Sequence, residues 1–287
     1  MTAIVTNDVR VLHSENFVNS IKNNDQTLYS FLGKSDEWSA NSSLTPINSN
    51  ERFRADSLDI SVMERVYYQN LSRVSKYVAH TTDTVYSMYD DSKDMAGLSY
   101  FVVNPATKGV YKCLFNNPTG ANPTGSPSTS IPDSVTTTGV QTTVDNYVWK
   151  YMYTIPTTWG EPIVTDVSSW MSIKNVLTRE ENSSQWDVRL NTLPGGIHAF
   201  RWKSTPDASL LPDDSVITVV GNTGSGSFVG KALNGIVICD PLKDSSTNPG
   251  FGYTSFTDVL VDGQSVDFIE PIISPVGGHG SNPVVEL

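Results

Sequence analysis

Aromatic residues alternate with other side chains along the segment that starts at Tyr147. Tyr147, Trp149, Tyr151 and Tyr153 occupy every second position, and only an extended strand places such positions on one face. We interpret that face as one side of a sheet packed on a core, with a subunit interface as the alternative, because aromatics are enriched at interfaces. Two upstream runs, 98–103 and 109–115, also have strand character.

A long polar connection separates these runs from the aromatic strand. Residues 116–145 carry four prolines among Thr, Ser, Gly and Asn, a composition that cannot build a core of its own. Loops of this length usually carry function, so we expect this one to contact a partner. Trp38, in the polar run 34–50, is added to the candidate interface residues. They are Trp38, Asn116, Pro118, Pro123, Pro127 and Pro132.

The N-terminal part mixes helix and strand patterns. Ser14 can cap a short helix over 15–22, and apolar residues predict a second helix from 56 or 57 to about 68. Strands are predicted at 26–33, 71–79 and 197–202. The segment 156–193 is weakly patterned.

Glycine-punctuated short strands replace this pattern after residue 205. Strands are predicted at 215–220, 234–239 and 256–261, and Asp262-Gly263 is a two-residue hairpin signal. We therefore predict a mainly β protein with a few short helices: a body over 1–205 that carries the long loop at 116–145, and a small glycine-rich β module over 206–287. The end, 283–287, reads as a strand.

Charge and length exclude several classes of protein. The formal net charge of -11 repels nucleic acid and anionic lipid. No apolar run approaches the ~20 residues that span a bilayer, and the opening residues lack the features of a secretory signal. Cys113 and Cys239 lie in apolar runs and are expected to be buried free thiols.

The sequence contains no converged catalytic or metal-binding set. His13, His80, His198 and His279 are scattered singly, without the spacing of a zinc site, and are interpreted as structural, His279 within a tight turn. The glycine-rich segment 224–232 departs from a phosphate-binding loop in spacing. The adjacent acids at 90–91 and 213–214 resemble solvated turns more than a glycosidase pair. We predict no enzyme activity, no cofactor and no metal.

Several short blocks together resemble a known family, the dimeric baseplate wedge subunit of T-even-type contractile-tailed bacteriophages. The resemblance is strongest over 1–156, and residues 210–287 are similar to a glycine-rich insertion in the cyanobacterial-myophage forms. The blocks are Ala3-Ile-Val-Thr6, Glu15-Asn-Phe-Val-Asn-Ser-Ile21, Leu28-Tyr-Ser-Phe-Leu-Gly33 with Glu37-Trp38-Ser39, Val110-Tyr-Lys-Cys-Leu114, Tyr147-Val-Trp-Lys-Tyr151, Pro249-Gly-Phe-Gly-Tyr-Thr254 and Pro275-Val-Gly-Gly-His-Gly280.

The resemblance implies a three-layered β-sandwich, a homodimer and a non-catalytic scaffold in the virion, in contact with other wedge subunits. It also implies that relatives continue past Leu287, so this chain is expected to be a shortened or incomplete form. Two alternatives stay open. A tail-associated carbohydrate-binding module would use Trp38, Trp159, Trp170 and Trp186, and an envelope-degrading hydrolase would use the acid pairs.

Overall fold

The computed structural model describes residues 7–33, 50, 54, 57–58, 60–156, 170–222, 227–241 and 244–287. The chain forms two compact units, Met1–Ser72 and Arg73–Leu287. Strands dominate the described residues, which confirms the predicted mainly β class.

The first unit contains one helix and one two-stranded sheet. Helix α1 covers Asn7–Lys22, and β1 (Leu28–Gly33) pairs antiparallel with β2 (Ile60–Val66). The helix is longer than predicted, and the prediction that Ser14 caps it is wrong. Ser14 lies inside the helix, where its hydroxyl donates to the carbonyl of Val11 at 2.8 Å, a bond that interior serines commonly make.

The prediction of a helix over 56–68 is also wrong from residue 60 onward. Ile60–Val66 is a strand paired with β1, with Phe31 opposite Met63. In so short a segment the apolar spacing fits both the helical period of about 3.6 residues and the strand period of about 2. The β-branched residues Ile60, Val62 and Val66 favour the strand.

Thirteen strands form the described part of the second unit. They are β3 (Arg73–Lys76), β4 (Phe101–Val103), β5 (Gly109–Phe115), β6 (Gln141–Thr142), β7 (Val148–Thr154), β8 (Trp170–Ile173), β9 (Ile197–Trp202), β10 (Val216–Asn222), β11 (Val229–Leu233), β12 (Ile236–Ile238), β13 (Ser255–Val261), β14 (Gln264–Val266) and β15 (Ile269–Ile273). The central sheet has the order β4-β5-β7-β6, β9 pairs with β15, and β3 pairs with β8.

Both faces of the central sheet are covered, which produces the layered arrangement. On one face, Trp149 packs with Tyr86, Tyr147 and Val188, the last from helix α2 (Ser183–Leu190). On the other, Leu114 and Val148 pack against Ala199 of β9 and Ile272 of β15. Tyr147, Trp149 and Tyr151 therefore lie on one buried face, as expected. Tyr153 is also buried, but a register shift places it opposite Val110, whereas Tyr151 lies opposite Tyr111.

The glycine-rich region forms a five-stranded sheet with the order β12-β11-β10-β13-β14. Asp262 and Gly263 connect β13 to β14 with φ of 49° and 79°, the positive values that a type I′ hairpin turn requires. The core of this sheet includes Ile197 and Phe200 of β9. One core thus runs across the boundary predicted at 205/206.

The last residues do not form the predicted strand. Pro283–Glu286 is a short helix, α3, in which the Asn282 side chain accepts a hydrogen bond from the Val284 N–H and proline occupies the first turn. Both are helix-start features. Strand β8 and helix α2 lie in the weakly patterned segment and were not predicted. Cys113 and Cys239 are buried and free, as expected.

We predict that Trp149→Ala will destabilise the protein by about 3–5 kcal/mol, because it empties a large site in the core. Trp149 is fully buried, with its ring stacked on Tyr147 at 5.4 Å between centroids. Denaturant unfolding measures the loss. Trp170→Ala is the matched control, since Trp170 is 44% exposed; equal losses from both variants would contradict the packing described.

Candidate functional site

Two lysines are buried side by side in the central sheet. Lys112 on β5 lies opposite Lys150 on β7, and their exposed fractions are 0% and 4%. Side chains alternate between the two faces along a strand. Both lysines therefore lie on the face opposite to Cys113 and Trp149, which is the face that β9 and β15 cover. Lysine is rarely buried to this extent unless it is paired.

Glu286 of α3 supplies the counter-charge for Lys112. Its carboxylate forms an ion pair with the Lys112 ammonium, and both side chains are sealed from solvent. The same carboxylate accepts hydrogen bonds from the backbone N–H of Gly280 at 2.9 Å and of Asn282 at 3.1 Å. The C-terminal segment is thus fixed to the middle of β5.

The Lys112 ammonium also lies over the Tyr89 ring, 3.9 Å from its centroid, a cation–π contact. Burial lowers the pKa of Lys112, and the neighbouring Glu286 opposes that shift. Desolvation of the two ions offsets much of their attraction. The pair therefore fixes the position of the C-terminal segment more than it adds net stability.

Lys150 forms no ion pair with a carboxylate among the described residues. Its ammonium donates to the carbonyl of Gly139 at 3.0 Å, a residue of the long connection. Burial, and then repulsion from Lys112, lowers the pKa of Lys150 to about 8, although Glu286 acts in the opposite direction. At neutral pH the lysine is still mostly charged.

Two histidines complete the cluster, which we define as Lys112, Lys150, His198, His279 and Glu286. The ring centroids of His198 and His279 are 5.9 Å apart, and the Nδ1 atom of each is buried without a hydrogen-bond partner. Burial and the two lysines lower the pKa of His198 to about 3 and that of His279 well below its usual value. Both rings are neutral at physiological pH.

Glycines bring His279 into the cluster. Gly278 and Gly280 have φ of 85° and 91°, a region that side chains other than glycine rarely adopt. A Cβ at Gly280 would come within 2.5 Å of Val188 Cγ1. The turn expected around His279 is therefore confirmed, and it requires glycine both for conformation and for close packing.

A narrow cleft reaches the cluster beside Lys150, His198 and His279, with Leu193 and Thr138 also in its wall. It has room for about one water-sized group, too little for an organic substrate. Within the described ranges, no group of three His, Cys, Asp or Glu side chains could hold a metal ion. The contacts of the cluster therefore join distant segments of the chain, and a small polar opening lies beside them.

The structure separates the predicted interface residues into three groups. Asn116, Pro118 and Pro132 are buried, and Pro123 and Pro127 are exposed; Trp38 lies outside the described residues. Asn116 donates through Nδ2 to the carbonyls of Tyr86 at 2.8 Å and Thr124 at 3.0 Å. Of the predicted residues that the structure describes, Pro123 and Pro127 expose their side chains to a possible partner.

The connection over 116–145, predicted as one long loop, contains strand β6 and is otherwise irregular but ordered by hydrogen bonds. The Asp145 carboxylate accepts from the backbone N–H of Thr129 at 2.7 Å and of Ser130 at 3.0 Å, and from the Ser128 hydroxyl at 3.0 Å. The composition suggested a free excursion because it contains few apolar residues. Polar side chains instead hold its backbone, both from within the connection and from Asn104, whose Nδ2 donates to the carbonyl of Pro132 at 2.9 Å.

Sequence reasoning missed the cluster. Its members come from strands β5, β7 and β9 and from the last dozen residues, so no local spacing reveals it. The available signals were Lys112 and Lys150 in the interiors of apolar strands and the Gly277-Gly-His-Gly280 turn.

One acid of each adjacent pair makes a structural contact. Asp90 forms an ion pair with Arg201, which also pairs with Glu270, and Asp213 accepts from the Asn234 N–H. Across the described ranges, no helix is long and apolar enough to cross a membrane.

Comparison with known proteins adds no family. The chain matches no protein-family model, and it matches no curated protein.

We predict that Glu286→Gln will destabilise the protein by about 3–5 kcal/mol, because it leaves the Lys112 ammonium buried without a counter-charge. The double variant Lys112→Met/Glu286→Leu removes both charges and should recover most of that loss, as measured by denaturant unfolding. Asp244→Asn is the control, since it breaks the more exposed Lys231–Asp244 pair (2.9 Å) and should change stability little. A double variant no more stable than Glu286→Gln would contradict this account.

The second prediction of this site concerns pH. The lowered pKa of Lys150, about 8 against 10.5 in the unfolded chain, means that the unfolded chain binds more protons between these values. The stability contributed by this position therefore rises with pH in that window.

The stability of the wild type minus that of Lys150→Met should accordingly increase from pH about 8 to about 10, measured in halide-free buffer. Burial raises the pKa of Cys113, which acts in the opposite direction, but this effect cancels in the difference. Lys93→Met removes an exposed lysine and is the control. A difference that stays constant or falls would contradict the prediction.

Proposed function

We propose that this protein is a structural subunit of the baseplate wedge of a contractile bacteriophage tail, acting as a homodimer without catalytic activity. The family resemblance of the sequence blocks motivates the proposal. The observation that carries it in the structure is the exposed apolar surface of the antiparallel strand pair β1–β2, which we call the hairpin.

The hairpin has apolar side chains on both faces. Phe31 and Met63 are register partners on one face, and Leu32 and Val62 are partners on the other. All four are more than half exposed in the single chain. A two-stranded hairpin is marginally stable by itself in water, and exposed apolar surface of this kind is typical of an interaction site.

The second unit has the properties of a rigid building block. Its central sheet is packed on both faces, and the Lys112–Glu286 pair fixes the C-terminal segment to it. A scaffold subunit that keeps its fold while neighbouring subunits rearrange needs such a core. Pro123 and Pro127, on the exposed part of the long connection, are the proposed contacts to other wedge subunits.

The proposal predicts that the wild-type chain of 31.4 kDa behaves as a dimer in light scattering and joins the other wedge subunits of the same virion in a larger complex. Phe31→Ser/Met63→Ser should reduce one or both associations, because it makes one face of the hairpin polar.

Val144→Ser/Val276→Ser is the matched control, since these two valines are almost fully exposed but lie in the second unit. A wild-type monomer that ignores every other wedge subunit would refute the proposal. A dimer that survives the hairpin substitutions but still joins the wedge would refute only the assignment of the hairpin.

A carbohydrate-binding role is the second candidate, favoured by Trp170. This side chain is 44% exposed on β8, and exposed indole rings can stack on sugars. Trp38 and Trp159 lie outside the described residues. Binding to a glycan array that Trp170→Ala abolishes would support this alternative over the scaffold proposal.

A further inference from the structure

The cluster around Lys150 contains more positive than negative charge. The charged groups that act on Lys150 are Lys112 and Glu286, and Glu286 is already paired with Lys112. His198 and His279 are neutral, as their lowered pKa values require. Asp91 also acts on Lys112, but from an exposed position. With both lysines protonated, the buried groups Lys112, Lys150 and Glu286 therefore carry one more positive than negative charge, which is costly in a protein interior.

Hydrogen-bond donors at the same place are also unused. An ammonium has three N–H donors, and the one bond made by Lys150 goes to Gly139. The Nδ1 atoms of His198 and His279 are buried without partners. A neutral imidazole that carries its proton on Nδ1 donates from that atom, so Lys150 and both rings can supply N–H groups to one acceptor.

The three residues that carry these donors border one opening. Lys150, His198 and His279 all contribute to the wall of the narrow cleft, together with Thr138 and the backbone of Gly139. His279 is only 5% exposed. The cleft has room for one small group, such as a water molecule or a monatomic ion, and is too small for phosphate or a carboxylate.

From this geometry we propose that the cleft is a binding site for one halide-sized monovalent anion, held by the Lys150 ammonium and the imidazole N–H groups of His198 and His279. The anion balances the excess charge of the cluster and links β7, β9 and the 277–280 turn. A cation is excluded by the charge of the site. This inference is independent of the proposed function.

Bromide is the probe, because it can be located by anomalous X-ray scattering. Crystals of the wild-type chain grown in halide-free buffer and soaked in sodium bromide should show an anomalous peak in contact with Lys150 Nζ and the two imidazoles. A water molecule at that position with no anomalous signal overturns the proposal.

A solution measurement supplies the second readout. The melting temperature of the wild type should rise with the logarithm of bromide concentration, compared with methanesulfonate at equal ionic strength. Lys150→Met should abolish this rise, and Lys93→Met, which removes an exposed lysine, should keep it. A bromide-dependent rise that persists in Lys150→Met overturns the proposal; if Lys150→Met does not fold, the bromide peak in the wild type decides.

Discussion

The buried ion pair between Lys112 and Glu286 is the constraint on which the second unit depends. A lysine in the middle of a strand that is covered on both faces cannot reach water, so its charge must be balanced inside the protein. Glu286 meets that requirement from 174 residues away in sequence. Removing either partner alone leaves a buried charge, so the central sheet and the last helix have to form together.

The two faces of strand β7 have different surroundings, one apolar and one polar. Trp149 and Tyr151 build an apolar aromatic layer with α2 and the segment around Tyr86. Lys150, on the opposite face, is held by the backbone of the long connection through Gly139. The connection therefore supplies a hydrogen-bond acceptor to a charged residue of the sheet, and Asp145 in turn orders the connection.

The proposed assembly role and the proposed anion site belong to different parts of the chain. The hairpin of β1 and β2 presents apolar surface that a single chain leaves in water. The cluster is internal and reaches solvent only through a narrow cleft. One feature concerns contacts between subunits, and the other concerns the internal stability of one unit, so each can be tested without the other.

The sequence by itself determined the mainly β class, most strand positions, the Asp262-Gly263 turn and the burial of both cysteines, because these follow from local alternation, turn chemistry and apolar context. Only the tertiary structure decided that Ile60–Val66 is a strand. Its apolar spacing fits a helix and a strand equally well, and the strand forms because the segment pairs with β1. It also decided that Pro283–Glu286 is a helix, and that Lys112, Lys150, His198, His279 and Glu286 meet in one cluster. Such contacts depend on which distant segments become neighbours, and the positions of single histidines and lysines in the sequence do not reveal those neighbours.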